Sequence, residues 1–263
     1  MLKLENLQLT FEKGTMGEKK ALKGLSLHLE EGDFVTIVGS NGAGKSTLFN
    51  AIGGKYQLDE GEIHLDGKDL TVLREHERAR EVGRLMQDPL KGTAPSLTIE
   101  ENLALAYGRR AKGGIFAINR KDLKYYRDLL ESLDLGLEDR MKTLVGNLSG
   151  GQRQAVTLLM CTIASPKLLL LDEHTAALDP INAEKIIAIT ERVVRENNIT
   201  TMMITHDIQM ALSVGNRTIM MDGGRIILDI KGEEKENMTM EALMESYRRK
   251  SSKKLLDDRM LLS

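Results

Sequence analysis

"GSNGAGKST", residues 39–47, runs from a glycine through four residues to Gly44, Lys45 and Ser46. The members are Gly39, Ser40, Asn41, Gly42, Ala43, Gly44, Lys45, Ser46 and Thr47. Glycines at this spacing let the backbone turn sharply and aim successive N–H groups at phosphate oxygens, where a side chain would obstruct. The flanks agree with that use. "DFVTIVG", residues 33–39, is a compact apolar strand with Val35, Ile37 and Val38 as its body, and "KSTLFNAIGG" after it is helical in pattern. The helix beginning near Lys45 adds its positive dipole end to the anion site. In this motif Lys45 is expected to reach the β- and γ-phosphates of a nucleotide, and the Ser46 hydroxyl to ligate Mg²⁺.

A bound Mg·nucleotide calls for an acid from a neighbouring strand. "KLLLLDEHTAALDP", residues 167–180, supplies one: four leucines run into Asp172 and Glu173. Alone, two acids at a strand end would read as turn residues. Beside a phosphate loop, Asp172 is placed to hold the metal, either directly or through one of the metal's own ligands. Glu173, one residue further on, is placed to orient and deprotonate water. The repulsion between the two carboxylates is offset by the cation.

Size and composition exclude several classes. The 263 residues are enough for one large domain or two small ones, and 29% charged with 41% hydrophobic is a soluble globular profile. A net charge of −2 provides no global basic field, so no nucleic-acid partner is expected. The single cysteine, Cys161, rules out an internal disulfide or a cysteine-built zinc site, and its apolar helical surroundings make it a core filler. The first residues are charged and alternate in polarity, unlike a signal peptide, and no run is long enough to span a bilayer.

Along the chain, Leu7, Leu9 and Phe11 alternate with polar residues, and Leu22, Leu25, Leu27 and Leu29 largely do so. "GEIHLDG", residues 61–67, is another short strand. From about residue 98 the pattern turns helical, in "TIEENLALAY" and in "DLKYYRDLLESLDLG", the second read as a helix ending at Gly136. "KLLLL" and "ITTMMIT" are apolar runs, each followed by a helical segment, which suggests a parallel sheet with crossover helices. "MMDGGRIILD" carries a hairpin signal at its Asp-Gly turn. In the tail, Met240, Leu243, Met244 and Tyr247 share a helical face before the basic cluster "RRKSSKK", read as a solvated helix end.

"NLSGGQRQ", residues 147–154, places Ser149, Gly150, Gly151 and Gln152 at the head of the helix containing Cys161. A hydroxyl, bare backbone and a dipole end form a second anion site, although a plain helix cap would use the same residues. The order of phosphate loop, LSGGQ and an apolar strand ending in Asp-Glu resembles the nucleotide-binding subunit of ATP-binding-cassette (ABC) proteins, over roughly residues 2–230. Gln87, in "LMQDP", matches that family's Q-loop, which senses Mg²⁺ and nucleotide and faces the membrane part of the transporter. "ALD", residues 177–179, matches the D-loop, ending at Asp179. His206, in "MITHD", matches the switch histidine that contacts the γ-phosphate. Phe11 matches the aromatic that stacks on adenine, and is also in phase with the core residues Leu7 and Leu9.

The resemblance implies an α/β fold of the P-loop NTPase type: a RecA-like core of parallel sheet and helices, an N-terminal antiparallel β-subdomain and an inserted α-helical subdomain at about residues 90–160. The ATPase domain is expected over residues 1–232, with a short helical tail at 233–263. The resemblance also implies two copies pairing head to tail, with ATP between the phosphate loop of one and the LSGGQ of the other. Membrane permease subunits would dock on residues 86–103, and a solute-binding protein would complete an importer. The chain is therefore expected at the cytoplasmic face of the membrane, held there by its permease.

His174 departs from the pattern, since the family commonly has Pro or Ala after the catalytic glutamate; a tolerated neutral side chain is expected. "DEHTAALDP" looks most like ATPases of bacterial importers of amino acids or similar small solutes. The competing expectation is a soluble ABC ATPase with no transport role, such as an iron–sulfur assembly scaffold component. A simple nucleotide kinase shares the phosphate loop but has no use for LSGGQ.

Overall fold

Apolar residues in the first thirty positions are unevenly spaced, and backbone bulges account for it. The computed structural model describes residues 1–108 and 120–260, with backbone alone for residues 251–260. Strand β1 (Leu2–Phe11) pairs antiparallel with β2 (Lys19–Leu29), but the register shifts between Leu4 and Leu7 and again near Leu9. Asn6 takes a left-handed φ of 50° and Gly24, opposite, one of 74°. Each bulge re-phases its strand, so that Leu2, Leu4, Leu7 and Leu9 all reach the core, as do Leu22, Leu25, Leu27 and Leu29. After β3 (Phe34–Gly39) and α1 (Lys45–Ile52), strand β4 (Glu60–Leu65) pairs with β1, and β5 (Lys68–Asp69) closes a sheet of order β2-β1-β4-β5.

The chain divides into two units, Met1–Glu75 with Thr201–Ser263, and His76–Thr200. Helix α2 (Glu75–Arg78) starts at the boundary, and the second unit contains β6 (Val82–Leu85), α3 (Ile99–Tyr107), α4 (Arg120–Glu131), α5 (Gly150–Thr162), β7 (Leu168–Asp172) and α6 (Pro180–Glu196). Strands β6 and β7 are parallel, and Leu168, Leu169, Leu170 and Leu171 are all buried, as a strand covered on both faces requires. Helix α4 stops at Glu131, five residues before Gly136. Leu133 and Asp134 switch to three-residue bonding on Leu130 and Glu131, and Asp134 turns left-handed at φ 55°. Leu133 and Leu137 are both buried beyond the helix end, although their four-residue spacing would equally suit one face of a continuing helix.

Returning to the first unit, β8 (Thr200–Ile204), α7 (Ile208–Ser213), β9 (Arg217–Asp222) and β10 (Arg225–Lys231) precede α8 (Glu233–Glu236) and α9 (Met240–Met260). Both β8 and β9 run parallel to β3, and β9–β10 is an antiparallel hairpin. Its two loop residues are Gly223 and Gly224, both with positive φ; Asp222 is the last strand residue. Leu243 of α9 is fully buried against Val38, Ala211, Met220 and Ile230, while Met240 stays 48% exposed, so the expected apolar face of the tail begins one turn late. Burial of Leu243 contributes roughly 1.5–3 kcal/mol to holding the tail in place. Arg248, Arg249 and Lys250 are exposed, and the side chains of the rest of the basic cluster lie outside the described residues. The chain is thus α/β, with parallel strands, helices and an antiparallel N-terminal sheet.

Candidate functional site

In the first unit the phosphate loop leaves the carboxyl end of β3. A Cβ on Gly39 would lie 2.2 Å from Met221 O, and one on Gly44 2.7 Å from Ala21 O, so both positions admit only glycine. Gly44 is also the N-cap of α1, at φ 100°, with no side-chain cap and no acid in the first turn. Lys45 is 6% exposed and arches back over the loop, its Nζ donating to Gly39 O (2.7 Å) and Ser40 O (3.1 Å). A positive side chain, a helix dipole end and side-chain-free backbone therefore converge on one small volume, which suits an anion of several oxygens. Ser46, Asn41 and Gly42 are exposed, Thr47 is half-buried and Ala43 is buried. The hairpin tip steadies the loop, Gly224 N donating to Ala43 O at 2.9 Å.

His206 reaches the same edge. Ile204 pairs with Ile37 in the parallel ladder, so His206 and Gly39 each stand two residues beyond a matched pair. They line one cavity of about 200 Å³ with Ser40, Met220, Met244 and Tyr247, the last two from α9. The helix after His206 is pinned at Ala211 O, which lies within 2.7 Å of Thr36 Oγ1, 2.8 Å of Thr218 Oγ1 and 3.1 Å of the buried Lys235 Nζ. Phe11, at the end of β1, is half-buried with its ring edge-on to Tyr56 at 5.3 Å. It is less enclosed than Leu7 and Leu9.

In the second unit, Leu85 pairs with Leu171, so Gln87 and Asp172–Glu173 leave adjacent parallel strands at the same end. Gln87 is exposed and both acids are half-buried. Asp172 faces Arg84 at 3.8 Å. Glu173 has a left-handed φ of 49°, which costs a non-glycine residue about 1–2 kcal/mol. Strain of this kind collects where a side chain must be aimed rather than packed. His174 is buried, with Nε2 3.3 Å from Thr190 Oγ1. Thr190 donates its own proton to Ile186 O, so His174 is the donor and carries its proton on Nε2. Burial pushes its pKa down to about 4, which makes it a neutral packing residue near pH 7, in agreement with the sequence expectation.

Ser149 is the N-cap of α5 in a reciprocal capping box. Its Oγ accepts from Gln152 N, and Gln152 Oε1 accepts from Ser149 N, both at 3.3 Å. Gly150 comes close to the D-loop: a Cβ there would meet Leu178 Cδ2 at 3.2 Å. Asp179 caps α6, accepting from Asn182 N (3.1 Å) and Asn182 Nδ2 (2.6 Å), and these hydrogen bonds hold its carboxyl below the usual range. The 39–47 loop and His206 thus belong to one unit, and Gln87, the two acids, LSGGQ and Asp179 to the other.

Residues 22–176 match the profile of a family described as ABC transporter. The chain belongs to that family. It is 44% identical over 247 residues to a tyrosine transport ATP-binding protein of Clostridioides difficile, covering 94% of this chain and 98% of that one. It is 36% identical to a methionine import ATP-binding protein of Rhizobium johnstonii, over 85% of this chain and 60% of that longer one. Among solved structures, a dimeric ATP-binding cassette in a post-hydrolysis state bound to ADP and Pi superposes with a TM-score of 0.75 at 31% identity, over 88% of this chain and 98% of that one. As a member of this family, the chain is an ATP-binding subunit that hydrolyses ATP for transport. No helix among its described residues is long and apolar enough to cross a membrane.

Several participants escaped sequence reasoning. Tyr56 backs Phe11 from a loop 45 positions away, and nothing in its local pattern marks it. Asn102, fully buried on α3, accepts from Ala94 N and donates to Ala94, Leu97 and Thr98 carbonyls, shaping the loop after the Q-loop. Arg84 did leave a signal, as the one charged residue in the strand "VGRL". Cys161 is a buried filler as expected, its thiol donating to Arg84 O.

Proposed function

We propose that the chain is the ATP-hydrolysing subunit of an importer of a small solute, in the amino-acid class, acting as a head-to-tail pair beneath separate permease subunits. The observation that carries the ATPase role is the phosphate loop, where Gly39 and Gly44 leave no room for side chains and Lys45 spans the cradle. Relatives named for tyrosine transport and methionine import support the solute class. They also favour transport over the soluble scaffold alternative.

In this proposal Lys45 and the N-terminus of α1 bind the β- and γ-phosphates, Phe11 takes the adenine face, and His206 contacts the γ-phosphate. Ser149, Gly150, Gly151 and Gln152 of the other copy close over the nucleotide, with Asp179 beside it. Glu173 accepts the proton of the attacking water. The hydroxyl of Ser46, the carboxylate of Asp172 and the amide oxygen of Gln87 are hard oxygen donors, a set that suits Mg²⁺. When bound, the metal would neutralise phosphate charge. Residues 86–103 are the permease-docking surface; exposed Leu90 and the Asn102-braced loop give it an apolar point on an ordered backbone. A solute-binding protein and a cytoplasmic-face location complete the proposal.

Gentle affinity purification of the chain from detergent-solubilised native membranes tests the proposal. An integral-membrane protein recovered in near-equal amount is expected, and its own family would indicate direction and cargo. Recovery of soluble partners only would overturn the transport assignment.

A further inference from the structure

Arg84 is a charged residue in a strand that otherwise packs inside the second unit. Its side chain is 14% exposed, and that of Asp172, 3.8 Å away, is 17% exposed. The register explains the pairing: Arg84 stands beside Leu170 in the parallel ladder, and Asp172 is two residues further along the same face. Its Nη2 approaches the carboxylate, while Nε and Nη1 are buried and have no hydrogen-bond partner among the described residues. Leaving two guanidinium donors unsatisfied is costly, so the arginine is not there for packing. An apolar residue would fill the strand more cheaply. Arg84 also lies three residues before Gln87, and its carbonyl is tied to Cys161 of α5.

We infer that Arg84 is a positioning residue that competes with the divalent cation for Asp172. The inference rests on Asp172 serving the metal. Without metal, the guanidinium neutralises the half-buried carboxylate and holds it toward β6. When Mg²⁺ arrives with the nucleotide, two cations face one acid in a poorly screened setting, and the arginine must give way. Because Arg84 and Gln87 lie on one short strand-to-loop segment, this displacement reaches the Q-loop directly. The metal's affinity is thereby set lower than the acid alone would make it, and metal arrival is linked to the segment that faces the permease.

The test is the Mg²⁺-dependent gain in affinity for a fluorescent, non-hydrolysable ATP analogue: the Kd in EDTA divided by the Kd in saturating Mg²⁺. No turnover is involved. Arg84→Met and Arg84→Gln should raise this ratio by about tenfold by removing a nearby like charge. Arg84→Lys, which keeps the charge, should stay near wild type, and Asp172→Asn should lower the ratio. Analogue binding in EDTA shows that each variant is folded, and the glutamine variant, which keeps a polar side chain, covers a failure of the methionine one. A ratio for Arg84→Met and Arg84→Gln within twofold of wild type, or below it, overturns the inference while Asp172→Asn still lowers it. If Asp172→Asn leaves the ratio unchanged, the assignment of Asp172 itself fails, and the inference with it.

Discussion

Two helices begin at glycine-rich turns, and their N-termini are finished in opposite ways. Helix α1 starts at Gly44 with no side-chain cap, and a lysine ammonium lies across the loop in front of it. Helix α5 starts at Ser149, whose hydroxyl and Gln152 satisfy each other's backbone in a closed box. The first end is built to receive charge from outside. The second has two of its backbone N–H groups satisfied internally, while the Ser149 hydroxyl, which only accepts in the box, still has its own proton to donate. That difference fits the proposal that one end binds ATP within a single copy and the other engages when two copies close on the nucleotide. It also tells why the two motifs differ in how safely they can be read. GKS at a strand end has no structural use, whereas Ser-Gly-Gly-Gln makes an ordinary cap.

The largest effect expected concerns Glu173. Glu173→Gln should slow steady-state ATP hydrolysis by about 10²–10⁴ while ATP still binds, because a positioned base contributes about that much. Phosphate release at the wild-type rate would remove Glu173 from its role. This slow variant is also the background in which to compare the helix ends. There, Lys45→Ala should weaken ATP binding on the order of 100-fold, the loss of one desolvated charge partner. Ser149→Ala should leave ATP affinity of the single copy within about twofold, yet weaken ATP-driven pairing measured by sedimentation. Equal losses of ATP affinity in both variants would erase the contrast between the two ends.

The smallest effect at neutral pH concerns His174, another group satisfied from within. Its pKa is about 4 when folded, against 6.5 for the free side chain. Between those values the unfolded chain binds the extra proton and the folded one does not, so stability falls as pH drops from about 6.5 toward 4. The full loss is roughly 3–4 kcal/mol, at about 1.36 kcal/mol for each pH unit of separation. His174→Ala should show a shallower acid-side decline in chemical-denaturation midpoint than the wild type. Parallel pH profiles would mean that His174 is not buried neutral.

Much of the site was legible because its chemistry is local. The phosphate loop needs its residues in sequence, so Gly39, Gly44, Lys45 and Ser46 could be read directly from spacing. The adjacent acids needed the phosphate loop, and His206 the family resemblance, to be separated from ordinary strand-end residues. The bulges at Asn6 and Gly24 show in the sequence only as broken alternation, since either could as well be a loop. Helix α4 ran past its end in the sequence reading because leucine spacing continues to be helix-like beyond Glu131, although Leu133 and Leu137 are buried through a turn.

By itself, the sequence determined an α/β nucleotide-binding chain, its phosphate loop, and the two acids after a leucine strand. These follow from contiguous residues whose backbone and charge requirements are met within a few positions. Only the tertiary structure decided that Tyr56 backs Phe11, that Lys235 pins the helix after His206, and that Arg84 faces Asp172. Each joins residues from separate elements, and strand register and burial, rather than any local pattern, bring them within reach.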